Sequence, residues 1–96
     1  MINKRIIRQS SQFKRDLRLS AKQGKDMALA NQIITMLAND APLPEKCRDH
    51  ALTGNWAGHR ECHIAPDWLL VYRKTDNNGL LLLLLARMTS HSDLGF

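Results

Sequence analysis

The sequence predicts an α+β domain in the order β-α-α-β-β-β, a small antiparallel sheet with an N-terminal helix pair. Three observations carry this. Two helix-period apolar stripes follow a short basic segment in residues 10–39. Two strand-length apolar runs, Trp68 to Lys74 and Leu80 to Arg87, flank Asn77-Asn78-Gly79, a hairpin signal because Asn-Gly accepts positive φ. The chain has 96 residues, which suits one domain over 1–96 and one core.

Each element has a local reason. Ile6-Ile7 among basic residues predicts a short strand within Asn3 to Gln9. Ser10 or Ser11 can cap the first helix, in which Phe13 and Leu17 share a face, and Gly24 ends it. Asp26 caps the second, which runs to about Asn39 with Met27, Ala30, Ile34 and Leu37 in one stripe. Ala41-Pro42-Leu43-Pro44 stops it. A polar loop follows, then Trp56 between Gly54 and Gly58, which is expected to pack under the helices. A strand is expected from about Ala57 to Ile64. With Asn78-Gly79 as a two-residue turn, Leu70 lies opposite Arg87 and Asp67 opposite Ser90. In the preceding hairpin, His63 faces Asp67 or Trp68. His63, Asp67, Trp68, Arg87 and His91 therefore gather at one end of the sheet.

Charge is uneven. The net charge is +5, yet residues 1–25 hold eight of the fourteen Lys and Arg against one acid, Asp16. A basic face of this kind suits a phosphate backbone or an acidic protein. Cys47 and Cys62 form no C-x-x-C pair and read as free thiols. No apolar run is long enough for a membrane span and no signal-peptide core precedes the fold, so a cytoplasmic location is expected.

Imidazoles, a carboxylate and an arginine around one point suit acid–base chemistry on a phosphodiester. Histidine can take or give a proton near neutrality, and arginine can hold phosphate oxygens. RNA supplies its own nucleophile, the 2′-hydroxyl. Trp68 begins an apolar strand and reads as core, as a face for a stacked base, or as both. The competing chemistry is metal binding by His59-x-x-x-His63 with Cys47 and Cys62. That spacing works on a helix, and 59–63 reads as strand, so no metal site is expected.

Four runs together resemble one family: Asp49-His50-Ala51-Leu52-Thr53-Gly54-Asn55-Trp56, Gly58-His59-Arg60-Glu61-Cys62-His63-Ile64, Asp67-Trp68-Leu69-Leu70-Val71-Tyr72, and Arg87-Met88-Thr89-Ser90-His91-Ser92-Asp93-Leu94. They are similar to the YafQ branch of the RelE-like toxins, the toxin halves of bacterial type II toxin–antitoxin pairs. The resemblance implies a twisted antiparallel sheet with two helices after the first strand, a microbial-RNase-like arrangement. It implies a ribosome-dependent endoribonuclease (an mRNA interferase) that cuts mRNA by 2′-hydroxyl attack, without metal or cofactor, and so inhibits translation. The implied partners are a cognate DinJ/RelB-like antitoxin, the ribosome and mRNA. Operator DNA would be reached only through the antitoxin complex, and no membrane is involved. The implied acid–base set is His50, His63, Asp67 and His91, with His91 the general acid and either His50 or Asp67 the base. Arg87 matches the phosphate-binding arginine. Lys46, Arg48, Trp68 and Phe96 match or flank RNA-contacting positions. The ending departs from the family pattern, Met88 and Thr89 standing for Thr and Gly, and Gly95 separating Leu94 from Phe96. A member that acts by binding alone is the alternative reading.

Overall fold

Local chemistry decides where the elements of the computed structural model begin; residues 2–94 are described. Strand β1 (Ile6–Gln9) ends at Ser10, whose hydroxyl accepts from the Phe13 amide at 2.9 Å and caps α1 (Ser11–Lys22). Gly24, at φ +75°, turns the chain. Asp26 then accepts from the Leu29 amide at 3.0 Å and caps α2 (Met27–Ala38). Four further strands follow: β2 (His50–Ala51), β3 (Arg60–Ala65), β4 (Trp68–Asn77) and β5 (Leu80–Thr89), then a single turn of helix, α3 (His91–Leu94).

The sheet order is β1-β5-β4-β3-β2. The last three pairings are antiparallel, while β1 joins β5 in parallel, which the long intervening crossover permits. Strand β2 was read from sequence as polar loop. It is two residues long and held by backbone pairing to β3, so its side chains carry no alternation to detect.

Successive residues of a strand face opposite sides, and this sorts the core. Leu70, Tyr72, Leu83, Leu85 and Met88 pack with Phe13, Ile33 and Leu37 of the helices. Leu69 and Val71 point to the helix-free face, where Leu52 and Leu94 are buried with them. Trp56 packs there too, instead of under the helices as expected.

Register is where structure and expectation part. From Asn77↔Leu80 to Tyr72↔Leu85 the β4–β5 ladder follows the Asn78-Gly79 turn. A bulge then inserts Ala86, so Val71 pairs with Arg87 and Leu70 with Met88, not Arg87. The β3–β4 turn is Pro66-Asp67, with Asp67 at φ +54°. A second irregularity pairs His63 with Leu69 rather than with Asp67 or Trp68.

Candidate active site

Glu61 is the buried centre of the site, at 1% exposure. Strand alternation puts it on the same face of β3 as His63. The pairing His50↔Glu61 brings His50 beside it from β2. The Ala86 bulge moves the end of β5 by one residue, and His91 rather than Ser90 arrives at Asp67, donating its backbone N–H to Asp67 Oδ1 at 3.2 Å. Glu61 Oε1 consequently lies 3.1 Å from His91 Nε2, 3.7 Å from His63 Nε2 and 3.9 Å from His50 Nε2. A buried carboxylate is costly unless a donor meets it, and of the three rings only His91, at 3.1 Å, lies within hydrogen-bond reach of Glu61. Glu61 Oε2 has no hydrogen-bond partner among the described residues.

The rings are held from outside. His63 and His91 meet edge to face with centroids 5.5 Å apart. His50 Nδ1 lies 2.6 Å from the Arg48 carbonyl. A carbonyl only accepts, so Nδ1 carries the proton and neutral His50 keeps its lone pair on Nε2, toward the cluster. Asp49, the residue before it, accepts from the Tyr72 hydroxyl at 2.5 Å and from Arg60 Nε at 3.2 Å. Burial pushes the Tyr72 phenol up, and the Asp49 bond pushes it further, so it stays a donor. A cleft of about 500 Å³ opens over His50, Glu61, His63 and His91, with Arg48 on its wall. A larger groove of about 740 Å³ runs beside it, lined by α2 residues and by Lys46, Arg48, His63 and Asp67.

The structure thus brings His50, His63, Asp67 and His91 together and sets Lys46 and Arg48 alongside. Two expected members go elsewhere. Arg87 donates to Asp16 of α1, from Nε at 2.8 Å and Nη2 at 3.3 Å, so its guanidinium is committed to a buried carboxylate rather than a phosphate. Trp68 is 2% exposed and its indole N–H donates to Ser20 Oγ at 3.3 Å, so it has no free face for a base. Phe96 lies outside the described residues. Met88 and Thr89 continue β5, and neither has positive φ, so the missing glycine costs no strain there. Sequence reasoning passed over Glu61, although its i, i+2 spacing from His63 on a strand was the available signal.

Cys47 and Cys62 are free, as expected, and both are buried. His59 stacks edge-on against Trp56 at 5.4 Å, away from the cluster. The group that could hold a metal is a different one: Glu61, His63 and His91 offer ligand atoms within 4.8 Å of one another. Two imidazoles and a carboxylate suit a divalent transition ion such as zinc. Such an ion would act as a Lewis acid, and it would occupy the atoms that otherwise move protons. Among the described residues no helix is long and apolar enough to cross a membrane.

A helix-backed sheet with histidines ringed around a buried carboxylate, under a basic rim, is equipped for acid–base chemistry on a phosphodiester. Comparison with known proteins narrows this. The family described as "Bacterial toxin of type II toxin-antitoxin system, YafQ" matches residues 5–95. The mRNA interferase toxin YafQ of Escherichia coli K12 is 40% identical over 91 residues, covering 94% of this chain and 95% of that protein. The crystal structure of the E. coli DinJ–YafQ toxin–antitoxin complex aligns with a TM-score of 0.84 at 38% identity, over 97% of this chain and 99% of that one. A metal-bound toxin from Helicobacter pylori aligns with a TM-score of 0.84 at 39% identity, over 93% and 97% of the two chains. The present chain belongs to the YafQ family of type II toxins.

Proposed function

We propose that this chain is an endoribonuclease that cuts mRNA on the ribosome and is silenced by a cognate antitoxin. The observation that carries the reading is the set of three imidazoles within 3.9 Å of buried Glu61. Family membership and the names of the relatives support it. His50 Nε2 takes the proton from the 2′-hydroxyl, since its Nδ1 is occupied by the Arg48 carbonyl. The 2′-oxygen attacks phosphorus, the bond to the 5′-oxygen breaks, and His91 protonates that leaving oxygen. The product is a 2′,3′-cyclic phosphate. Glu61 Oε1 meets the His91 ring at Nε2 and Asp67 Oδ1 accepts from the His91 backbone N–H, so the ring is held in position from two sides. His63 packs on His91 and shares the Glu61 oxygen. Arg48 and Lys46 meet the RNA backbone at the cleft mouth, taking the part that sequence gave to Arg87.

The exposed Lys14, Arg15, Arg18 and Lys22 of α1 form the docking face for ribosomal RNA. Operator DNA is contacted only by way of the antitoxin, and the protein acts in the cytoplasm.

The test is inducible expression with mapping of cut sites in a translated reporter. Wild type should arrest growth and cut the reporter only when ribosomes translate it. His91→Ala should lower the cleavage rate by about 10²–10⁴-fold, the range for a lost general acid. Equal arrest and equal cutting by both proteins would remove His91 from the mechanism. Tight ribosome binding by wild type with an uncut reporter would establish the binding-only alternative.

A further inference from the structure

Strand β5 has leucine at every position from Leu80 to Leu85. A continuous apolar run belongs to a strand covered on both faces, whereas a strand with one solvated face alternates. Among the described residues, the helices and the strand-side core cover only one face of this segment. Leu83 and Leu85 are buried against the helices. Leu82 and Leu84 turn to the other face and are half-buried, and Leu80 is 46% exposed. Pairing sets Ile6, 43% exposed, beside Leu82 and Arg8 beside Leu84. On the opposite flank, Thr75 lies beside Leu82 and Arg73 beside Leu84. The small cluster of Leu52, Leu69, Val71 and Leu94 covers this same face only at the catalytic end, with Ala86 at its margin. The result is an apolar stripe, Ile6-Leu80-Leu82-Leu84, edged by two exposed arginines. Among the described residues of β1, β4 and β5 that share this face, none is acidic.

We propose that this stripe is the docking face for the antitoxin, which enters as an amphipathic segment with aliphatic residues on the leucines and acids against Arg8 and Arg73. The proposal rests on the toxin–antitoxin reading above. The two arginines would suit an acidic protein or a phosphate backbone alike, and side-chain type selects the protein. RNA is held by cations and by flat groups that stack, and four aliphatic side chains give it neither. An apolar patch rimmed by charge is the usual form of a protein contact. The stripe leads toward Ala86 and the catalytic end, so a segment lying along it and running on past Ala86 would reach the cleft. Docking and inhibition would then be one event.

The probe is the antitoxin encoded beside the toxin gene, titrated against purified toxin. Leu82→Lys with Leu84→Lys should weaken binding roughly a hundredfold or more, since each leucine loses its apolar burial. Arg8→Glu with Arg73→Glu should weaken it about tenfold, with a loss that shrinks at high salt. Both variants, expressed without antitoxin, should still arrest growth. Antitoxin affinity within about twofold of wild type in both variants overturns the proposal. So does loss of ribosome binding with antitoxin binding intact, because the face would then belong to RNA. Should the leucine variant fail to fold by circular dichroism, Leu80→Lys at the exposed end of the stripe and the arginine pair decide the matter on the same criteria. If wild-type toxin itself ignores the antitoxin, the toxin–antitoxin reading falls, and this proposal with it.

Discussion

Asp16→Ala should cost about 3 kcal/mol of folding stability. Asp16 is 6% exposed and accepts four hydrogen bonds: Arg87 Nε at 2.8 Å, Arg87 Nη2 at 3.3 Å, the Met88 amide at 2.9 Å and Gln12 Nε2 at 3.0 Å. Removing one partner of a buried pair costs about 3–5 kcal/mol, because the other charge is stranded. The Arg87 side chain is 19% exposed and can turn partly to water, which favours the lower end. At about 4–8 °C per kcal/mol for a domain of this size, Tm should fall by about 12–24 °C. Urea and thermal unfolding at pH 7 measure it, and Arg87→Ala completes a double-mutant cycle in which the two losses do not add. The pH dependence adds a sign. Burial pushes the Asp16 carboxyl up, but hydrogen bonds from Arg87, Met88 and Gln12 outweigh it and leave it below its ordinary value. A folded value below the unfolded one gives stability that is complete above the ordinary carboxylate range and is lost as pH falls through the folded value. The gap between wild type and variant should therefore be widest near pH 7 and narrow below about pH 4. A gap under about 1 kcal/mol at pH 7, or one that widens in acid, would refute this account. So would an Arg87→Ala protein that cleaves poorly yet unfolds like wild type, since the guanidinium would then serve the substrate.

Tyr72→Phe removes the 2.5 Å bond to Asp49 that steadies the residue before His50. We expect a loss of about 1.5–3 kcal/mol in stability, and a several-fold drop in kcat with KM little changed; unchanged kcat would show that the tether does not position His50. Trp68→Phe, which loses the bond to Ser20, should cost about 1 kcal/mol and leave RNA affinity alone. Weaker RNA binding at full stability would instead restore a stacking role to Trp68. Excess zinc should slow cleavage by occupying Glu61, His63 and His91, and EDTA should restore it. Glu61→Gln should blunt binding measured by calorimetry, and failure of saturating zinc to bind wild type would count against the site.

What sequence could reveal depended on how local the cause was. Ser10, Gly24, Asp26 and Asn78-Gly79 act within a few residues of themselves, and each one sits where the chain turns or a helix starts. Register was harder. A uniform leucine run contains no phase marker, so nothing in it announces that Ala86 is an extra residue. Strand β2 was invisible because a two-residue strand rests on backbone bonds. Arg87 looked like a phosphate ligand because its partner, Asp16, is 71 residues away and on another element. Trp68 was open between core and stacking, and its burial decides for core. The histidines were legible as a group, while the carboxylate that organises them was hidden in plain view between Arg60 and Cys62.

The Ala86 bulge has a further meaning for how this chain can change. Before it, odd-numbered residues, Leu83 and Leu85, belong to the helix-side core; after it, an even-numbered one, Met88, does. The strand is written in two frames, and Ala86 is the frameshift between them. Were the ladder to run on without a break, Met88 would leave the interior and His91 would turn away from Glu61. Insertions or deletions on either side of Ala86 are thus not equivalent to substitutions of similar size. A lineage could reshape the leucine face by exchange, residue for residue, without touching the nuclease. It could not lose count there and keep both.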